Sequence, residues 1–165
     1  RMALEVSKNL SQGNKLMFCG NGGSAAESQH MAAEYCATLD HKRPRPGMAA
    51  LALTTDTSFL TAWTNDFGYE EVFQRQVETL GVKGDTLFCY STSGNSKNIC
   101  LAARSAKRMG IHVLGFTGKN NSKLEKYCDL IFKAPSKNTP VIQELHTILG
   151  HEICLLVEKL IKNES

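Results

Sequence analysis

The chain has 165 residues, 42% of them hydrophobic, and a formal net charge of +3; this is enough for one sizeable core, and the scattered Lys and Arg do not make a nucleic-acid footprint. Six cysteines without CxxC spacing exclude a disulfide frame and point to buried thiols in a reducing compartment, the cytoplasm. No uninterrupted apolar stretch is long enough to span a bilayer, and neither a signal peptide nor a membrane partner is expected.

Taken in order, five short apolar runs read as strands: Lys15 to Cys19, Met48 to Leu53, Asp85 to Tyr90, Ile111 to Thr117 and Asp129 to Lys133. Each is followed by a turn and a helical pattern. Strands that are apolar at every position, not at alternate ones, are covered on both faces, and intervening helices make parallel crossovers the natural connection. The expectation is one α/β domain over 1–165, a three-layer sandwich with a five-stranded parallel sheet and helices on both faces, whose N-terminal helical segment is truncated.

Ligands of open parallel sheets gather beyond the carboxyl ends of the strands. The first such end, Gly20-Asn21-Gly22-Gly23-Ser24, is a glycine-rich turn opening a small-residue helix. It fits the loose dinucleotide pattern GxGxxA, but the first acidic residue at a following strand end is Asp56, 36 positions beyond Gly20, against the roughly 20 that a ribose-binding acid requires. Nicotinamide binding is therefore the lesser reading of this loop. The third strand ends in Ser91-Thr92-Ser93-Gly94-Asn95-Ser96, whose hydroxyls, with the unpaired amides of the next helix, suit a phosphate. The alternative is a plain Ser/Thr helix cap; recurrence of the design at two strand ends favours a site.

His30 and Glu34 lie four apart on the first of these helices, beside Ala26, Ala33 and Ala37, on a face without bulky neighbours. In isolation the pair would be an ordinary helical contact. The C-terminal helix, Val141 to Ile161, is apolar around most of its circumference and carries Gln143, His146, Gly150 and His151. A helix of that kind is buried, so it is expected to build the core of a homo-oligomer, with Gly150 permitting close packing and His146 at the interface. Gln143 and His151 are separated by about 12 Å of helix axis, so either the helix starts irregularly near Gln143 or the two meet at a subunit junction. The short patch His41-Lys42-Arg43-Pro44-Arg45 reads as a solvated loop, and Trp63 as packing.

Together GNGGSAAESQH, LTTDTS, NDFGYE, STSGNSKN and IQELHTILGH resemble the bacterial phosphoheptose isomerases of the sugar-isomerase (SIS) domain superfamily, whose fold is flavodoxin-like; the likeness runs from about Lys15 to Lys162. The resemblance implies conversion of sedoheptulose 7-phosphate into D-glycero-D-manno-heptose 7-phosphate through an enediol, the entry to activated heptose for lipopolysaccharide or capsule. It implies a homotetramer with sites between subunits. It also implies one zinc ion per subunit, catalytic or structural, on His30, Glu34, Gln143 and His151. Substrate contacts would come from Asn21, Gly22, Gly23, Ser24, Glu34, Asn65, Asp66, Ser91, Thr92, Ser93, Ser96 and Gln143, with Asp56 a further candidate. Glu34 is the expected base and His151 the expected acid, because enediol chemistry needs a carboxylate and a proton donor flanking the substrate. The superfamily also holds a non-catalytic tetramer that binds a replication initiator protein; the presence here of both Glu34 and His151 argues for catalysis. Thr139-Pro140 departs from some relatives that carry a charged residue there.

Overall fold

The computed structural model describes the backbone of residues 1–164 and the side chains of 1–161. Five strands, β1 (Leu16–Cys19), β2 (Ala50–Ala52), β3 (Thr86–Tyr90), β4 (His112–Thr117) and β5 (Leu130–Lys133), form one sheet in the order β2-β1-β3-β4-β5. Every pairing is parallel. All five expected strands are present, each shortened by one to three residues. The central strands β1 and β3 are buried at every position, whereas the edge strands β2 and β5 are only partly covered.

Side chains alternate across the sheet and so divide the core in two. Leu16, Phe18, Phe88, Tyr90, Leu114 and Phe116 face a layer built from α1 (Met2–Ser11), α2 (Gly23–Cys36) and α6 (Thr139–Glu164). Met17, Cys19, Leu87, Cys89 and Val113 face α4 (Val72–Leu80) and α5 (Lys97–Arg108). The remaining helix, α3 (Thr57–Phe67), has no fully buried residue; Phe59 and Trp63, stacked at 5.9 Å, pack against the second of these core clusters, while Phe67 is exposed. Asp85 knits the starts of β1 and β3, accepting from the Lys15 amide at 3.0 Å and from the Val82 amide at 2.8 Å.

Four expectations are corrected here. His146 lies in the chain's own core and not at an interface: it is 1% exposed, its Nε2 donates to Thr117 O at 3.2 Å, and its ring sits among Tyr90, Phe116 and Phe132. Gly150 serves a contact inside the chain, since a Cβ there would stand 2.5 Å from Met31 Sδ on α2. Arg45 is not solvated; its side chain is 3% exposed. Cys36 is exposed at the end of α2, while Cys19, Cys89 and Cys154 are buried as expected.

Candidate active site

Two helices from opposite ends of the chain meet to form the site. On α2, positions 23, 27, 30 and 34 share one face; on α6, positions 143, 147, 150 and 151 share another, by the three-and-four spacing of a helix. Close approach is possible because both seams contain glycine: besides Gly150, a Cβ on Gly23 would lie 2.6 Å from Gln143 Nε2. The α6 helix is continuous from Thr139, so an irregular start near Gln143 does not occur.

At one end of this seam His30 Nε2 and His151 Nε2 stand 2.7 Å apart, with the rings edge to face at 87°. Glu34 Oε1 is 3.6 Å from His30 Nε2, and one ligand atom from each of the three residues lies within 4.8 Å of the others. Two imidazole nitrogens at that distance cannot both present lone pairs; they share a proton or a cation. Two imidazoles and a carboxylate are a donor set that could hold a divalent ion such as zinc. Gln143 places its amide against Gly23, at the start of α2.

Between the two ends lies a residue that sequence reading missed. Glu27 Oε2 accepts from Thr147 Oγ1 at 2.6 Å, while Oε1 is buried without a hydrogen-bond partner. Burial, partly opposed by the Thr147 hydrogen bond, pushes the Glu27 carboxyl above the usual carboxylate range. The i, i+3, i+7 spacing of Glu27, His30 and Glu34 was available as a signal; what hid it was the apolar character expected of a buried face.

The second strand end, after β3, holds the hydroxyl loop. Ser91 Oγ and Ser96 Oγ are 3.2 Å apart. Ser91 is 4% exposed and Ser96 is the N-cap of α5. Gly94 is required there: its φ is +62°, and a Cβ would stand 2.3 Å from Ser122 Cβ. A cavity of about 180 Å³ opens beside Thr92 and Ser93, walled also by Lys119, Lys137, Thr139 and Ile142 and by no carboxylate. Its cationic, hydroxyl-rich wall suits an anion. Ser24 is buried in the first turn of α2, and Gly22 is its N-cap.

The two loops are tied together. Asn21 and Asn98 exchange amide hydrogen bonds at 3.0 and 2.9 Å, and Tyr69 Oη donates to Asn21 Oδ1 at 2.8 Å. Asn98 and Tyr69, which no sequence pattern singles out, hold Asn21 in place. Asn65 and Asp66 are exposed at the end of α3, where Asn65 Nδ2 donates to Asp66 Oδ1 at 2.8 Å. Asp56 caps α3, accepting from Phe59 N at 3.0 Å, which is the local role its position after a strand allows.

The family model described as SIS domain matches residues 1–118. The phosphoheptose isomerase of Burkholderia pseudomallei (strain 1710b) is 52% identical over 150 residues, covering 91% of this chain and 75% of that protein. The phosphoheptose isomerase of Akkermansia muciniphila is 52% identical over 159 residues, 96% of this chain and 83% of the relative. Among solved structures, phosphoheptose isomerase GmhA from Neisseria gonorrhoeae superposes with a TM-score of 0.86 at 38% identity, covering 96% of this chain and 85% of that one. A phosphoheptose isomerase from Francisella tularensis gives a TM-score of 0.87 at 30% identity, with the same coverage. With a family model over most of the chain, half of the residues identical to curated relatives and a closely superposing fold, the chain belongs to the SIS-domain family of phosphoheptose isomerases.

Proposed function

We infer that this chain is an aldose–ketose isomerase that converts sedoheptulose 7-phosphate into D-glycero-D-manno-heptose 7-phosphate, the first step towards activated heptose. The observation that carries the reading is the meeting of Glu34 with His30 and His151 at one end of the α2–α6 seam. The phosphate is assigned to Ser91, Thr92, Ser93 and Ser96 at the start of α5, with Asn21, Gly22, Gly23 and Ser24 contributing from the start of α2. Gln143, lying against Gly23, is assigned to the sugar between the two ends, and Asn65 and Asp66 to its outer hydroxyls.

The chemistry moves one proton between adjacent carbons. Glu34 carboxylate takes a proton from C1 of the ketose while His151 donates one to the C2 carbonyl oxygen, giving the enediol. His151 then accepts the proton of the C1 hydroxyl as that oxygen becomes the aldehyde, and Glu34 returns its proton to C2. The balance is one proton exchanged at each residue and no net change in charge. His30, hydrogen-bonded to His151, fixes its ring and tautomer. His30, Glu34 and His151 would alternatively hold a zinc ion, which when bound would polarise the carbonyl in place of the proton these groups share, with Gln143 the expected fourth ligand. We further propose a cytoplasmic homotetramer; all six thiols are free, and among the described residues no helix is long and apolar enough to cross a membrane.

The test is a product assay with sedoheptulose 7-phosphate and shorter ketose phosphates, with and without chelator, on the native chain and on Glu34→Gln. Loss of a general base removes about 10²–10⁴ in rate, so Glu34→Gln is expected to lower kcat by at least about a hundredfold with the fold intact by circular dichroism. Turnover by Glu34→Gln equal to that of the native chain overturns the assignment of Glu34.

A further inference from the structure

Glu34 stands in the last turn of α2, which ends at Cys36. The carbonyls of a final helical turn have no partners within the helix, and such turns fray. A reacting carboxylate placed there drifts with the helix end unless something outside the helix holds it. Met48 N donates to Tyr35 O at 3.1 Å, and the carbonyl of Glu34 itself is held by Arg45, from the irregular segment following α2. Its Nη2 donates to Glu34 O at 2.9 Å, and its Nη1 donates to Tyr35 O at 2.9 Å and to Ala37 O at 3.3 Å. A guanidinium is suited to the task, since its fork of fixed donors reaches several carbonyls at once and its charge complements the negative end of the helix.

The same guanidinium reaches the other helix. Arg45 Nε donates to Glu158 Oε1 at 2.9 Å, and the two side chains are 3% and 5% exposed. Glu158 lies seven residues beyond His151 on α6, two turns along the same face. Glu158 Oε1 also accepts from Leu39 N at 3.0 Å, which fastens the segment leaving α2 to the same carboxylate. A buried ion pair contributes little net stability, because desolvation offsets the attraction, whereas it fixes geometry through directed hydrogen bonds.

We propose that Arg45 is a positioning residue for the isomerisation, holding Glu34 at its working distance from His151 by joining the last turn of α2 to α6 through Glu158. The proposal rests on the reading of Glu34 as the base. Arg45 touches neither the hydroxyl loop nor the phosphate end, so its loss displaces the reacting carboxylate while leaving the phosphate grip in place. A misplacement of about 1 Å at a reacting group costs on the order of a hundredfold in rate.

The experiment compares native chain, Arg45→Met, Arg45→Lys and Glu158→Gln by steady-state kinetics on sedoheptulose 7-phosphate. Each kcat is divided by the number of sites that bind inorganic phosphate in a calorimetric titration, which removes any unfolded fraction from the comparison. Arg45→Met and Glu158→Gln are expected to lose at least about tenfold in kcat per phosphate-binding site, with KM within about threefold of native. Arg45→Lys, which keeps the charge facing Glu158 but cannot bridge it to the α2 carbonyls, is expected to fall between. If kcat per site stays within about twofold of native in Arg45→Lys and Glu158→Gln, or if the whole loss is in KM, the positioning role is overturned. A native chain that does not turn over the sugar phosphate sinks the isomerase reading and this proposal together, which separates the two failures.

Discussion

Nε2 of His146 donates to Thr117 O while Nδ1 is buried without a partner, and burial holds the imidazole below its ordinary range. A base whose folded pKa is depressed is bound more tightly to its proton in the unfolded chain. The stability it contributes is fully present above the unfolded value near 6.5 and is lost as pH falls from there towards the lower folded value. Thermal melts from pH 7.5 to 5.5 are expected to show a drop in Tm that is smaller in His146→Asn than in the native chain. The sequence put this histidine on a mostly apolar helix that had to be buried, which is correct. It could not say that the neighbours would be Tyr90, Phe116 and Phe132 of the same chain instead of a second subunit. Arg45 teaches the converse: a cation amid other cations and prolines looks solvated, and only the fold reveals four carbonyls and a carboxylate around it.

The strands were legible because burial on both faces leaves an apolar run that turn residues interrupt, and each expected strand is found with its ends trimmed. The order of those strands was not, since nothing local in Leu16–Cys19 tells it to lie between Ala50–Ala52 and Thr86–Tyr90. The hydroxyl loop and the His30, Glu34 pair were legible for a similar reason, being short-range patterns. The pairing of α2 with α6 depends on contacts across about 120 residues and left only Gly150 and Gly23 as traces. That seam makes its own forecast. Gly150→Val would set branched carbon where Met31 Sδ, Met31 Cγ and Glu27 Oε1 already lie within 2.5, 3.4 and 3.3 Å of the Cβ position. Overpacking of this sort costs about 1–3 kcal/mol, so the urea midpoint is expected to fall, with kcat falling further as His151 is pushed from His30.

The molecule as a whole keeps apolar surface that its own layers do not cover. On α6, Val141, Ile148 and Leu156 are 41%, 60% and 47% exposed, at spacings that keep them near one face, and Phe67 on α3 is 64% exposed. The expectation of an α6 buried on all sides is thus met only in part within one chain, which is why we propose that the uncovered stripe packs against further copies. Ile148→Glu is expected to lower the solution mass measured by light scattering towards that of a smaller assembly, whereas an unchanged mass would place the subunit contact elsewhere.

His30 and His151, whose ring nitrogens approach to 2.7 Å, are 121 positions apart in the chain. During synthesis on the ribosome the sheet, the hydroxyl loop and the first half of the seam are all made before the second histidine leaves the exit tunnel. A nascent chain therefore carries its hydroxyl loop well before it carries the second histidine, and the paired imidazoles come together only once α6 has docked on α2.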